Sequence, residues 1–216
     1  MPHALVIGAT GGIGSAIARA LAPAYDLTLV GRDAAALGRL RAELGAARAL
    51  AADVTVELEV AALADDLPDV DVLVYAVGTA VPGALGDADV SAWEAQWGAN
   101  VWGFALALKH LAPRLAKGGR VLVVGARPEL SAARGMAAYA ASKAGVDGVA
   151  RVAALELRRQ RVSVTVVRPG AVATDLWAPL GGAPKGALAP SDVADAVARA
   201  LRAEPQPDLL IDAATR

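Results

Sequence analysis

Residues 4–14 read Ala-Leu-Val-Ile-Gly-Ala-Thr-Gly-Gly-Ile-Gly, a short apolar run that breaks into glycines and then continues as a helix. The first four residues predict a buried strand, because the run is short, apolar and bounded by a turn. Apolar residues then recur at helical spacing, at Ile13, Ile17, Ala18 and Leu21. Glycines at such a turn let the backbone approach a pyrophosphate, and the helix N-terminus offers free N–H groups. This context predicts a dinucleotide-binding site.

Strands and helices are predicted to alternate along the whole chain. Apolar runs predict strands over 4–7, 27–31, 47–52, 70–77, 120–125, 162–168 and 209–212. Helical patterns fill the intervals, over 12–22, 33–45, 56–66, 91–116, 137–160 and 191–203. Most strand runs lack a polar face, which is typical of a parallel sheet covered by helices on each side. We therefore expect an α/β protein with a single-domain Rossmann fold over residues 1–216: a doubly wound, parallel, seven-stranded sheet with helices on both faces. A stretch rich in proline and glycine predicts a short substrate loop near 175–190.

The composition excludes several classes of function. The chain has 216 residues, no cysteine and a formal net charge of −1. Disulfides and thiolate chemistry are excluded, and the near-neutral charge gives no footprint for nucleic acid or a membrane surface. The sequence contains no run of about 18 apolar residues, so no transmembrane helix is predicted. The first strand begins without a basic leader, and we therefore expect a cytoplasmic location. His3 and His110 lack a second ligand at metal-site spacing, so no metal site is expected.

The second predicted strand ends in Gly31, and Arg32 follows it directly. In dinucleotide-binding folds, a residue about 20 positions beyond the glycines contacts the adenosine ribose. An acidic residue there favours NAD, whereas an arginine pairs with the 2′-phosphate of NADP. Because Gly31 offers no carboxylate, the sequence favours NADP(H) over NAD(H). The alternative is that Arg32 is a solvated surface residue, and in either case Asp33 is expected to cap the next helix.

Tyr139 and Lys143 lie four residues apart in the predicted helix 137–160, so their side chains share one face. A nearby ammonium favours the phenolate, and we therefore expect Lys143 to lower the pKa of Tyr139. A phenol tuned in this way can act as general acid or base at a carbonyl or an alcohol. The alternative is an ordinary tyrosine and lysine on a solvated helix face.

Together these motifs resemble the short-chain dehydrogenase/reductase family across nearly the whole chain. Gly8, Gly12 and Gly14 form G-x-x-x-G-x-G, which resembles the oxidoreductase branch of that family. With Gly11 instead of Gly12, the same turn reads G-x-x-G-x-x-G, which resembles the epimerase-like branches. Asn100 and the Pro-Gly turn after the sixth strand favour the oxidoreductase branch.

The resemblance implies a role for each matching residue. Tyr139 and Lys143 match the catalytic pair, and Asn100 matches an asparagine that helps to hold a relay water linked to the lysine. The positions implied to contact the cofactor are Gly8, Thr10, Gly12, Ile13, Gly14, Arg32, Asp53, Val54, Ala76, Gly78, Asn100, Tyr139, Lys143, Pro169, Gly170, Val172 and Thr174. The helices that carry Asn100 and Tyr139 are implied to join subunits into a homodimer or homotetramer.

Three departures from the family pattern bear on function. The usual Asn-Asn-Ala-Gly is replaced by residues 75–78, Tyr-Ala-Val-Gly, so its amide side chains are missing. The catalytic serine is replaced by Ala126, and the substrate loop and tail are short. Loss of one such hydrogen-bond donor typically costs about 10²–10³ in rate. Ser131, Arg127 and water are the candidate replacements, and the alternative for Ser131 is a loop or capping serine.

The sequence thus predicts an NADP(H)-dependent oxidoreductase that transfers a hydride between the nicotinamide and a small carbonyl or alcohol substrate. It does not identify the substrate. The alternative is a non-catalytic NADP(H)-binding sensor or scaffold, which the loss of the serine favours and the retained Asn100, Tyr139 and Lys143 oppose. An epimerase-like enzyme is a third possibility.

Overall fold

One parallel sheet runs through the computed structural model, which describes residues 1–45, 48–87 and 89–212. Its strands lie in the order β3-β2-β1-β4-β5-β6-β7. They are β1 (His3–Ile7), β2 (Asp26–Gly31), β3 (Arg48–Ala51), β4 (Val70–Tyr75), β5 (Leu115–Val124), β6 (Ser163–Pro169) and β7 (Asp208–Ile211). The strand order reverses between β1 and β4, and a crevice for a ligand opens at such a reversal, outside the carboxyl ends of the strands. The predicted doubly wound α/β fold is confirmed.

Helices cover both faces of the sheet. They are α1 (Gly12–Leu21), α2 (Ala34–Leu44), α3 (Glu57–Asp66), α4 (Val90–Trp97), α5 (Gly103–Leu111), α6 (Pro128–Ser131), α7 (Ala137–Glu156) and α8 (Pro190–Leu201). The apolar sides of α1, α2 and α8 form one core with the sheet, and those of α3, α5 and α7 form the other. Asp33 caps α2 as predicted, since its carboxylate accepts a hydrogen bond of 2.9 Å from the Ala36 amide.

The long helix predicted over 91–116 is wrong in two respects. A π-helical turn, Gly98–Trp102, separates α4 from α5. The helical segment then ends after α5 in a 3₁₀ turn, Ala112–Arg114, because Pro113 has no amide hydrogen to continue the ladder. Residues 115 and 116 already belong to β5, which begins five residues earlier than the predicted 120–125 and carries an irregularity beside β4.

Other element bounds differ by smaller amounts. β4 ends at Tyr75 and not at Val77, so residues 76–78 form a loop at the carboxyl edge of the sheet. The last turn of the predicted helix 137–160 is a 3₁₀ segment, Leu157–Gln160. Ala47, the first residue of the predicted third strand, lies outside the described residues.

His3 is buried at the amino edge of the sheet and is held by two further segments. Its Nδ1 lies 3.2 Å from the Asp69 carbonyl oxygen, and its Nε2 lies 2.9 Å from the Thr28 hydroxyl. A carbonyl accepts only, so Nδ1 carries the hydrogen and Nε2 accepts from Thr28, which satisfies the neutral ring. Burial lowers the pKa of His3 from its ordinary value of 6.5.

This burial predicts that the folded protein loses stability in mild acid. The folded-state pKa lies below 6.5, so the unfolded chain binds more protons as the pH falls. The contribution of His3 is therefore complete above the unfolded pKa and is lost as the pH falls through the folded one. Urea unfolding from about pH 8 to about pH 5 should show a weaker pH dependence in His3→Gln than in the wild type. Equal pH dependence in the two proteins would contradict the assignment.

Candidate functional site

The glycine turn after β1 is packed so tightly that only glycine fits. Gly8 has φ of +83°, and a Cβ atom there would lie 2.8 Å from the backbone of Ala76 and Val77. A Cβ on Gly14 would overlap the Gly8 carbonyl oxygen. α1 starts at this turn without a side-chain cap, so its first amides are not covered by protein side chains. These features fit a phosphate-bearing ligand that approaches the backbone directly.

The turn also contacts the segment after β6. A Cβ on Gly12 would lie 2.7 Å from Cγ2 of Thr174, so the two predicted cofactor segments meet here. Val172 is buried in the core on the α1 side of the sheet, and Ile13 packs against the same core. Farther along that segment, the Gly170 amide donates to the Ile211 carbonyl at 2.8 Å, which fixes the turn after Pro169 to β7.

The ends of β2 and β3 carry the residues predicted to contact the adenosine. Arg32 has a side chain 80% exposed, and its Nη1 lies 3.9 Å from Oδ2 of Asp53. Partial burial would raise the pKa of Asp53, but hydrogen bonds from Thr55 and the charge of Arg32 lower it. A Cβ on Gly31 would lie 3.1 Å from Oγ1 of Thr10, which occupies the space beside the strand end. The guanidinium is thus free to turn toward a ligand.

Val54, the neighbour of Asp53, has its side chain buried in the core. This leaves only its backbone for the contact with adenine that the family resemblance implies. A Cβ on Gly103 would lie 2.9 Å from Cγ2 of Val54, so the valine packs against the start of α5.

Asn100 lies in the π turn and is almost fully buried, with its whole amide group used. Its Oδ1 accepts from the Thr79 amide at 2.9 Å, and its Nδ2 donates to the Thr79 carbonyl at 3.0 Å. Nδ2 also donates to Oγ of Ser142 at 2.8 Å, and this hydroxyl donates to the Tyr139 carbonyl at 2.8 Å. The asparagine side chain therefore ties the loop after β4 to α7.

Lys143 and Tyr139 lie on α7, the helix that Asn100 contacts through Ser142. Nζ of Lys143 donates to the Val124 carbonyl at 2.8 Å and lies 5.7 Å from the centre of the Tyr139 ring. A Cβ on Gly78 would lie 3.4 Å from this Nζ and 3.5 Å from Oδ1 of Asn100. Gly78, which is exposed, thus lies directly beside both Lys143 and Asn100.

The expected effect of Lys143 on the pKa of Tyr139 is wrong in this structure. Burial raises the pKa of Tyr139 to about 12, and no lowering by the ammonium offsets it. The ammonium donates to Val124 and faces the tyrosine ring rather than its hydroxyl. Burial also lowers the pKa of Lys143 to about 8, so both groups are pushed toward their neutral forms.

The position of the missing serine has a well-anchored backbone. Nη1 of Arg168 donates to the Ala126 carbonyl at 3.2 Å and to Asp147 at 3.0 Å, and its Nε donates to Asp208 at 2.6 Å. Oγ of Ser131 donates to the Pro128 carbonyl at 3.2 Å, as in a local capping bond.

Arg127, the other candidate donor, is occupied by carboxylates. Its Nη1 lies 3.4 Å from Oδ2 of Asp212, and its Nε lies 3.9 Å from Oε2 of Glu129. Both protein groups proposed to replace the serine thus have partners of their own.

Two residues that the sequence reasoning did not single out help to build the site. Ser142 links Asn100 to α7, and Arg168 links three segments through one guanidinium. Ser142 could have been found from its spacing, because a serine three residues after Tyr139 lies on nearly the same helix face. Nothing in the sequence indicates which carbonyl Arg168 contacts.

Two further findings concern the parts of the chain that the structure describes. They contain no group of three or more His, Asp or Glu side chains that could hold a metal ion. Within the same residues, no helix combines the length and apolar character needed to cross a membrane.

Comparison with known proteins finds a matching family model and several similar proteins. The model of the short chain dehydrogenase family matches residues 2–184. A solved protein described as a short-chain oxidoreductase, from Thermus thermophilus, is 44% identical, with a TM-score of 0.87 over 94% of this chain and 97% of that one. An alcohol dehydrogenase from the archaeon Thermococcus sibiricus, complexed with 5-hydroxy-NADP, is 26% identical, with a TM-score of 0.88 over 100% of this chain and 98% of that one. The cis-4-hydroxycyclohexanecarboxylate dehydrogenase of Sinomonas cyclohexanicum is 35% identical, covering 90% of this chain and 87% of its own.

The contact between Gly12 and Thr174 generates a prediction about cofactor binding. Gly12→Ala should weaken NADPH binding about tenfold, because the new methyl pushes Thr174 out of place beside the turn. In the Gly12→Ala background, Thr174→Ser removes the clashing methyl and should recover part of the NADPH affinity. Gly38→Ala is the matched control, since no atom lies within 4 Å of its Cβ position. Fluorescence titration with NADPH measures all four proteins, and wild-type affinity in Gly12→Ala would contradict the assignment.

Proposed function

Because the chain belongs to the short-chain dehydrogenase family, we propose that it is an NADP(H)-dependent oxidoreductase acting on a small carbonyl or alcohol substrate. The observation that carries this proposal is the cluster of Asn100, Tyr139 and Lys143 beside the exposed Gly78. The glycine turn supports the cofactor assignment, since residues 10–12 are exposed and α1 begins there without a side-chain cap. One NAD(P)-binding domain over residues 1–216, with a substrate loop near 175–190, is part of the same proposal.

Each catalytic candidate has a role that its environment supports. The nicotinamide supplies the hydride when it is bound. The Tyr139 hydroxyl, with its pKa raised to about 12, stays protonated at neutral pH and acts as the general acid in carbonyl reduction. Lys143 binds the nicotinamide ribose and returns a proton toward Tyr139. Asn100 holds the loop after β4 against α7 and helps to place the relay water.

Arg32 supports the preference for NADP(H). Its guanidinium lies at the end of β2, is largely exposed and has only a long contact with Asp53. It can therefore turn to a 2′-phosphate in bidentate geometry at little cost. Gly31 adds no carboxylate that would repel the phosphate.

Apolar side chains on the helices around Asn100 and Tyr139 support a homodimer or homotetramer. Trp97 and Trp102 are each 50% exposed, and Val152 and Leu155 on α7 are 53% and 72% exposed. Such side chains are better satisfied against a second copy of the chain than in water. A small-molecule substrate and a cytoplasmic location complete the proposal, and the net charge of −1 is in keeping with both.

The rival function is a non-catalytic NADP(H)-binding sensor or scaffold. The specific observation in its favour is Ala126, which places a methyl where the family has a hydroxyl donor. Ser131 and Arg127 are bonded elsewhere, which leaves water as the donor with the fewest competing bonds. The predictions below separate the two functions.

The first prediction concerns the 2′-phosphate. Arg32→Ala should weaken NADPH binding about tenfold and leave NADH binding nearly unchanged, because one charge-assisted pair is lost. Arg39→Ala removes an exposed arginine from the neighbouring helix α2 and serves as the charge-matched control. Dissociation constants for both cofactors measure the effect, and an unchanged preference in Arg32→Ala would overturn the assignment.

The second prediction concerns proton transfer. Tyr139→Phe should lower carbonyl reduction by about 10²-fold or more while NADPH still binds, because only the phenol oxygen is removed. Lys143→Ala should lose both activity and NADPH affinity. In the wild type, reduction should decline above about pH 8, where the Lys143 ammonium loses its proton. Steady-state rates against pH measure this, and a Tyr139→Phe enzyme with most of its activity would show the mechanism to be wrong.

The third prediction concerns Ala126. If the protein is an enzyme that lacks one donor, Ala126→Ser should raise carbonyl reduction by roughly tenfold, less than the usual donor effect because the loop is not adapted to it. Ala126→Gly, which adds no hydroxyl, is the control. Wild type and Ala126→Ser that both bind NADPH but remain inactive on a broad carbonyl and alcohol panel would favour the sensor. A large loss in Ala126→Ser would mean that the site requires the smaller residue.

A further inference from the structure

Tyr75 is the last residue of β4 and is fully buried beside the candidate site. Its hydroxyl donates to the Ala99 carbonyl at 2.6 Å, and its ring packs on Phe104 with centroids 5.4 Å apart. The hydroxyl also limits the residue at position 103, because a Cβ on Gly103 would overlap it. Tyr75 thus contacts both ends of the π turn that contains Asn100.

The hydrogen-bond pattern of the π turn explains this contact. In an α-helix, the Gly103 amide would donate to the Ala99 carbonyl. Here it donates to the Gly98 carbonyl, one residue earlier, so the Ala99 carbonyl loses its helical donor. The Tyr75 hydroxyl donates to this part-buried carbonyl in place of the Gly103 amide. The phenol therefore stabilises the π turn relative to a regular helix.

The π turn in turn sets the direction of the Asn100 side chain. A π turn adds one residue to the helix, and one residue corresponds to about 100° of rotation. Without the extra residue, Asn100 would turn away from Thr79 and Ser142, with which it makes three hydrogen bonds. π turns of this kind are frequent at functional sites for this reason.

We propose that Tyr75 is a positioning residue, whose hydroxyl holds the π turn that aims Asn100 at Thr79 and Ser142. The proposal rests on the proposed function only for its consequence in catalysis. Position 75 is one of the places where the chain departs from the family pattern, and the phenol here donates to a carbonyl of the π turn. Gly103 is its necessary partner, since any side chain there would displace the hydroxyl.

The test is Tyr75→Phe, which keeps the ring against Phe104 and removes one oxygen. NMR of the holoenzyme with NADPH should show shifted Asn100 side-chain amide signals, assigned with Asn100→Asp. Hydrogen exchange at the Thr79 amide should become about tenfold faster than the change in global stability explains. Thr165→Val is the matched control, because Thr165 is another buried hydroxyl that donates to a carbonyl, that of Gln206, on β6. The Thr165→Val variant should lose about as much global stability as Tyr75→Phe. Its Asn100 side-chain amide signals and its hydrogen exchange at the Thr79 amide should match those of the wild type.

A second variant keeps the tyrosine. Gly103→Ala should push the hydroxyl from Ala99 and produce the same shifts, and its Cβ would also press on Cγ2 of Val54. Unchanged Asn100 signals in both variants would overturn the proposal. Where a carbonyl substrate is found, Tyr75→Phe should lower kcat several-fold with NADPH affinity retained. Shifted Asn100 signals in a protein with no activity on any substrate would instead refute the proposed function and leave the role of Tyr75 standing.

Discussion

The close passage of the Gly8 backbone past the end of β4 is the constraint on which the site depends. No Cβ fits between Gly8 and the peptide joining Ala76 to Val77, and Gly14 is equally tight against the Gly8 carbonyl. The two central strands can therefore end side by side while α1 starts almost at once. This arrangement points the amides at the start of α1 into the crevice where the strand order reverses. Thr174, in the segment after β6, contacts the turn at Gly12, and Gly78 lies in the loop after β4.

Burial organises the proton chemistry within that crevice. It raises the pKa of Tyr139 and lowers that of Lys143, so the tyrosine binds its proton more tightly than the lysine does. In the proposed mechanism, this order of pKa values favours return of a proton from the ammonium to the phenolate. The Lys143 ammonium is meanwhile held by the Val124 carbonyl at the end of β5. The sheet thus sets the position of the ammonium that we propose resupplies the general acid.

Local patterns in the sequence are enough to predict the sheet, most helices and the glycine turn, because each depends on apolar periodicity or on a residue with special backbone freedom. The π turn within 91–116 could not be predicted in this way, since we propose that it depends on the Tyr75 hydroxyl, which reaches Ala99 from the end of β4. The predicted lowering of the Tyr139 pKa is wrong for a related reason. Spacing places Lys143 one turn away, but only the packed structure shows its ammonium bonded to Val124. The partner of Ser142 could not be predicted from spacing either, because Asn100 is distant in sequence.

The backbone at Ala126, where the family resemblance implies a serine, is anchored by an arginine and two carboxylates. Arg168 holds the Ala126 carbonyl, and it is itself fixed by Asp147 on α7 and Asp208 on β7. Asp147 lies one helical turn beyond Lys143, so the Arg168 guanidinium connects the backbone at Ala126 to α7, the helix with the catalytic candidates. The Ala126 backbone is therefore positioned without any help from a hydroxyl. By the family resemblance, the alanine lacks one hydroxyl donor to the substrate oxygen, and the energetic consequence depends on whether water supplies it instead.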